Sequence, residues 1–341
     1  MQTLILYGDW LVKRQHFKRL KYENKEQRLK CGGIVGFFEA LNYLLHHVRP
    51  SRVVVAWDGM EAGDTKYKNY PPYHLEKQKE WEKRKRLYIE TDFGVETERE
   101  EHDLAILRQI NKCQRLLDNC SVRQLISKKT EGTDMLAGYV NQSTKEGERI
   151  IIFSREHEFY QLIDDNVSVM TPKMNLITKA NFQKKLGYNI ENELMLNCFV
   201  GNSFVDGVDR LSRDKIIKFF PIIKDEKYTY QQMCEEAEIL QEEKSLIVYR
   251  QILESRDLLI RNASMLNLEN PSLQLEDYEQ ISETIYLPLS EDRDIQTTIS
   301  YFRSDGYEDY ISGTIEDFFS VFYSLMVNER EYGRNYNNIQ L

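Results

Sequence analysis

Three short apolar runs rich in branched residues, Leu4–Tyr7, Val53–Trp57 and Ile150–Ser154, have the length and composition of buried strands. Between them the apolar positions recur at helical spacing. Gly33–His47 carries Phe37, Leu41, Leu44 and Leu45, and His102–Leu117 repeats Leu104, Leu107, Ile110 and Leu117. Strands alternating with helices predict an α/β fold, a parallel sheet flanked by helices on both faces. From Asn181 to about Leu268 the pattern turns helical, through Ile216–Ile222 and the charged stretch Met233–Leu253. Beyond Pro271 it changes again: Phe318, Phe319, Val321, Phe322, Leu325 and Met326 fall on one amphipathic helix. The chain therefore divides into 1–180, 181–270 and 271–341, with no internal repeat.

Composition sharpens this division. The 341 residues carry a net charge of −9, which taken alone argues against a nucleic-acid partner. From Pro271 onward, however, fourteen acidic residues face four arginines and no lysine, so the acidity belongs to the C-terminal extension. Lys66–Arg86 holds eight basic residues against Glu76, Glu80 and Glu82. Five scattered cysteines form no close metal-binding pair and read as reduced thiols of a cytosolic protein. No apolar run has the length to span a bilayer, so no membrane partner is expected.

In parallel sheets, ligands bind beyond the carboxyl ends of the strands. Asp9 and Asp58 follow the first two predicted strands, and Glu156 and Glu158 follow the third. With Glu131, Asp134 and Asp206 they form a pool of carboxylates. Two-metal phosphodiester hydrolysis needs such a pool: two divalent ions roughly 4 Å apart clamp the attacking and leaving oxygens. Magnesium is held by few carboxylates plus water.

Several motifs make this specific. Cys31-Gly-Gly-Ile-Val-Gly-Phe-Phe-Glu-Ala-Leu41, then Pro50 and Val53-Val-Val-Ala-Trp-Asp-Gly59, resembles the opening of 5′-nuclease domains. Those domains occur in bacteriophage flap endonucleases, the phage exonuclease called ribonuclease H, and the N-terminal part of bacterial DNA polymerase I. Tyr70-Pro-Pro-Tyr73 is similar to the family's entry to its helical arch, and Glu131-Gly-Thr-Asp134 to its Glu-x-Asp-Asp helix start. Ser154-Arg-Glu-His-Glu-Phe-Tyr-Gln-Leu162 resembles Ser-x-Asp-x-Asp-Phe-x-Gln-Leu. Phe199-Val-Gly-Asn-Ser-Phe-Val-Asp-Gly-Val208 resembles the segment before the helix–three-turn–helix module, and Arg261-Asn262 with Leu266 its close. The matches run in family order over residues 4–268.

The resemblance implies a PIN-like 5′-nuclease core with an arch at about 60–100, a helix–three-turn–helix-like region, and the acidic extension as an addition. It implies a structure-specific 5′→3′ exonuclease or flap endonuclease. Such an enzyme hydrolyses DNA or RNA–DNA junctions during replication with one or two Mg2+ or Mn2+ ions, in the cytoplasm (the host's, if phage-encoded). Metal ligands would be Asp9, Asp58, Glu131, Asp134, Glu156, Glu158, Asn202 and Asp206. Asp58, Glu131 and Asp134 would be catalytic, with Lys83 or Arg84 stabilising charge on the transferring phosphate. Lys66, Lys68, Lys77, Lys83, Arg84 and Arg86 would meet phosphates, and Tyr73 and Trp81 would stack on bases. Arg210, Arg213 and Lys215 would contact duplex backbone, although no glycine follows Gly207 to form the hairpin that holds the family's potassium ion.

The departures define an alternative. Tyr7 stands where the family has its first acid, leaving Asp9, which shares its side if the strand alternates. Thr133 and Asn202 replace aspartates, Glu156 and Glu158 are a carbon longer, and the next acid falls on Val205, or on Asp206 with one insertion. Fewer carboxylates weaken divalent binding, so the alternative is a catalytically impaired nuclease fold acting as a DNA-binding or scaffold subunit. A PIN-like ribonuclease shares the carboxylate logic but not the arch entry. His46 and His47 close a helix, where histidine suits the last turn, and His157 is expected to point away from its flanking glutamates. The extension could pack on the core, cover the DNA channel or bind a protein partner.

Overall fold

The computed structural model describes residues 2–25, 28–63, 66, 70, 98–202, 205–290 and 292–337, without the side chains of 98–101 and 331–337. Two compact units divide it: Met1–Ala62, Glu80–Ile151 and Leu273–Leu341 form the first, Gly63–Lys79 and Ile152–Ser272 the second.

The first unit opens with β1 (Gln2–Tyr7), α1 (Gly8–Lys18), α2 (Gly32–Val48) and β2 (Arg52–Trp57). It continues through α3 (Glu98–Leu117), β3 (Arg123–Ile126), α4 (Gly132–Ser143) and the start of β4 (Arg149–Phe153). Its strand order is β3-β2-β1-β4. β1 and β2 run parallel with Tyr7 opposite Ala56, and β2 and β3 run parallel with Trp57 opposite Ile126. Every residue of β2 is buried, as expected where helices cover both faces. Parallel register also brings the carboxyl ends of β1 and β2 side by side, which sets Tyr7 close to Asp58.

The acidic extension belongs to this unit. Its helices α11 (Leu275–Tyr286), α12 (Ile295–Ser304) and α13 (Ile315–Asn337) bury Phe302, Phe319 and Phe322 around Phe38 of α2. Each such ring stabilises by roughly 1.5–3 kcal/mol. Glu329 of α13 sits between two buried arginines, accepting from Arg123 Nε at 2.7 Å and from Arg52 Nε at 3.3 Å. Arg123 also donates to the carbonyls of Thr284 and Leu287, and Arg52 to that of Ile285. The extension is thus built into the core of the first unit.

The second unit holds the end of β4, then β5 (Val167–Met170) and β6 (Leu176–Ile177), an antiparallel pair. Helices α5 (Lys179–Leu186), α6 (Glu193–Val200), α7 (Arg213–Phe219), α8 (Tyr230–Lys244), α9 (Ile247–Glu254) and α10 (Arg256–Met265) follow. The charged run Met233–Leu253 is helical on either side of Ser245, which turns the chain with φ +48°.

Candidate functional site

In the first unit the acids expected at the strand ends meet. Asp58 leaves β2 half-buried, and each of its oxygens has a donor: the Tyr7 hydroxyl at 2.8 Å on Oδ2, and the Gly132 backbone N–H at 2.9 Å on Oδ1. Asp9 lies in the first turn of α1 and not on an extended strand, which corrects the alternation argument. The helix begins at Gly8, where an added Cβ would come within 2.3 Å of the Trp57 ring, so only glycine allows the turn so close to β2. From there Asp9 Oδ2 accepts the Asp58 backbone N–H at 2.8 Å. Glu131 is the N-cap residue of α4 and Asp134 lies in its first turn, both nearly inaccessible. Asp9, Asp58 and Glu131 are therefore drawn to one corner around the start of α4.

The second unit places its own candidates differently. Glu156 is exposed and leads into a 3₁₀ turn, His157–Leu162, that begins with His157 and Glu158. The His157 ring lies edge-on to Tyr160 and takes up a proton less readily than usual, through burial first and then the charge of Arg213. Asn202 Oδ1 accepts the Val205 N–H at 2.9 Å, so this amide closes its own turn. Val205 is buried against Met265 and Leu266 with Tyr70 beside them, whereas Asp206 is exposed. Of the two registers open in the sequence, only the one with an insertion presents an acid.

Arg213 also differs from expectation. Its guanidinium forks onto Glu193, Nη2 to Oε1 at 2.7 Å and Nη1 to Oε2 at 3.0 Å, and donates to the Tyr188 hydroxyl at 2.8 Å. Glu193 is fully buried and needs that countercharge, which commits Arg213 to the interior instead of a phosphate. Lys66 is 6% exposed. Arg210 and Lys215 are at the surface, with Lys215 Nζ donating to the Arg210 carbonyl at 2.7 Å. Arg210 has φ +56°, a conformation suited to the glycine a phosphate-holding hairpin would carry there. Lys68, Tyr73, Lys77, Trp81, Lys83, Arg84 and Arg86 lie outside the described residues. His47 stacks on Tyr43 at the end of α2.

One surface was missed from the sequence. Along α1, Trp10, Lys13, Arg14, Phe17 and Lys18 recur at spacings of three and four, hence on one face, and Lys21 follows in the turn just past its end. Phe17 is half exposed, and Arg14 lies 5.3 Å over the Trp10 ring. Lys18 binds its proton less firmly than usual, through partial burial and then repulsion from Arg14 and Arg19. Lys13, Lys18 and Lys21 have no carboxylate partner among the described residues. Crowded cations interleaved with aromatics suit a polyanion with stacking faces. The spacing was legible; the helix was not expected there.

Divalent ions, implied by the resemblance, can be tested against these placements. The donors are hard oxygens, the right kind for magnesium. Their arrangement is not: among the described residues no three of His, Cys, Asp or Glu stand together to hold an ion. Tyr7 occupies the first acid's place, both Asp58 oxygens have protein donors, and the Asn202 oxygen serves Val205. Within the first unit, the described residues bring no two-ion ligand set together. No described helix is long and apolar enough to cross a membrane.

The chain is 30% identical to the thermostable DNA polymerase I of Thermus thermophilus over 95 residues, which are 28% of this chain and 11% of the polymerase. It thus spans about a tenth of that relative. It is 20% identical over 292 residues to the 5′-3′ exonuclease of Buchnera aphidicola subsp. Schizaphis graminum, covering 83% of each. Its fold is similar to that of the bacteriophage T5 flap endonuclease in a pseudo-enzyme-product complex with DNA and metal ions. That likeness has a TM-score of 0.56 at 14% identity, over 95% of this chain and all of the other. Residues 2–187 match the family described as 5′-3′ exonuclease, N-terminal resolvase-like domain. With the sheet, the helix starts and the acid corner in family order, the chain belongs to this 5′-3′ exonuclease family, whose fold is that of metal-dependent nucleases.

Proposed function

We propose that the chain recognises DNA bearing a 5′ end or single-stranded 5′ flap and holds it without efficient cleavage. The observation that carries this reading is the Tyr7 hydroxyl on Asp58 at 2.8 Å, in the place of the family's first acid. The basic, aromatic face of α1, which begins at the same corner, supports the choice of ligand. In a chain of net charge −9 such a face attracts phosphates only locally. Recognition, on this reading, comes from phosphate neutralisation along α1 and stacking on Trp10 and Phe17, with Lys83, Arg84 and their neighbours proposed as further phosphate contacts.

A second reading is favoured by the buried pair Glu131 and Asp134 beside Asp58. It is a structure-specific 5′→3′ exonuclease or flap endonuclease using Mg2+ or Mn2+ in DNA replication. A labelled 5′-flap duplex separates the two, with binding followed by anisotropy and cleavage on a gel in either metal. A matched RNA–DNA junction serves as a second substrate. The first reading expects salt-sensitive binding with no product. Product that disappears in the Glu131→Ala, Asp134→Ala double variant overturns it in favour of the second.

A further inference from the structure

We infer that Tyr7 is a built-in substitute for a divalent ion: its hydroxyl supplies the positive end that holds Asp58, so the acid corner is complete without metal. This rests on the reading that cleavage is attenuated, and names the residue responsible.

Three observations converge on it. Asp58 accepts a protein donor on each oxygen and gives its own N–H to Asp9, so protein groups already hold it where an ion would. An O–H aimed at a carboxylate is a charge-assisted hydrogen bond, and an ion approaching Oδ2 must break it. The surroundings are also shaped for the phenol ring. A Cβ added to Gly132 would stand 2.9 Å from Tyr7 Cε2 and 2.9 Å from the Trp57 carbonyl carbon. The helix start thus carries glycine where a side chain would press on both the Trp57 backbone and the ring, which leaves the phenol room to reach Asp58. Finally, among the described residues the corner lacks a group of three acids in ligand range. A single carboxylate in place of Tyr7 is the change that would supply one beside Asp58 and Glu131.

The test uses the full chain and three proteins: wild type, Tyr7→Asp and Tyr7→Phe. Thermal melting is followed in chelator and in manganese, and terbium luminescence is sensitised through the neighbouring Trp57. The wild type is expected to melt at one temperature in both conditions. Tyr7→Asp is expected to melt lower in chelator, to recover in manganese, and to bind terbium about ten-fold more tightly than wild type. Tyr7→Phe keeps the ring, adds no ligand and is the variant safest to fold; it is expected to melt lower in both conditions. A folded Tyr7→Asp protein with no metal response overturns the inference, as does wild-type melting that already depends on manganese. Tyr7→Phe melting like wild type overturns it too, because the hydroxyl would then hold nothing. These outcomes are separate from flap binding, whose absence sinks the proposed function alone.

Discussion

His16, on the buried face of α1, shows how much a single residue's partners determine. Gln109 Oε1 accepts the Gly33 N–H at 2.6 Å, which turns its Nε2 toward His16 Nδ1 at 2.8 Å. His16 Nδ1 is then an acceptor, so its proton sits on Nε2 and is donated to His102 Nδ1 at 3.1 Å. Protonating His16 sets its Nδ1–H against the Gln109 amide N–H. Burial first, then the charge of His102, lowers the His16 pKa from 6.5 to about 4. The unfolded chain therefore binds more protons between these values, so stability is lost as pH falls from about 6.5 toward 4. Replacing His16 with glutamine removes this titration. The melting temperature of wild type should drop by about 4 °C more than that of His16→Gln across the window; parallel curves would refute the argument. His16 is invisible as a special residue in the sequence because both partners lie far along the chain, on α3. Arg213 is the same case in reverse: it reads as a surface cation until Glu193 is found buried against it.

At the scale of elements, the legible parts were those whose pattern is set by burial. β2 is an unbroken apolar run because helices cover both faces, and α2 shows helical spacing because one face meets the sheet. What failed to show were elements decided by something else. β3, Arg-Gln-Leu-Ile, is polar at half its positions, since Arg123 belongs to an ion pair and Gln124 accepts from Trp57 Nε1. Its outer edge is capped by Gln280, whose side-chain amide bonds both the N–H and the carbonyl of Ile126. That amide imitates a neighbouring strand and blunts an edge open to pairing. α1 was hidden because Asp9 reads as a continuation of the apolar run before it. Its basic face makes a quantitative prediction. Replacing Lys13, Lys18 and Lys21 together by alanine should weaken flap binding about ten-fold or more and flatten the salt dependence by roughly three phosphate equivalents. An unchanged salt slope would remove α1 from the DNA interface.

For the molecule as a whole, the family motifs stop at residue 268, yet the first unit is closed by residues beyond them. The sequence marked the extension as acidic and amphipathic; it could not show that one of those acids, Glu329, pairs with Arg52 and Arg123 inside the core. Removing one partner of a buried charge cluster costs about 3–5 kcal/mol, because the charges left behind are neither paired nor solvated. Glu329→Ala should therefore lower the urea midpoint sharply, whereas an exposed acid such as Glu316 should be replaceable by alanine at little cost. Equal effects would show that the extension is an appendage and not part of the core.

The Glu329 pairing has a consequence for how the protein is made. Arg52 and Arg123 emerge from the ribosome 277 and 206 positions ahead of the carboxylate that neutralises them. Chains usually fold their early domains during synthesis, but this sheet cannot bury its arginines favourably until α13 has arrived. Contacts so distant along the chain form slowly. The nascent protein then carries an unfinished sheet until residue 329 has been made, an interval of more than two hundred residues after Arg123 emerges.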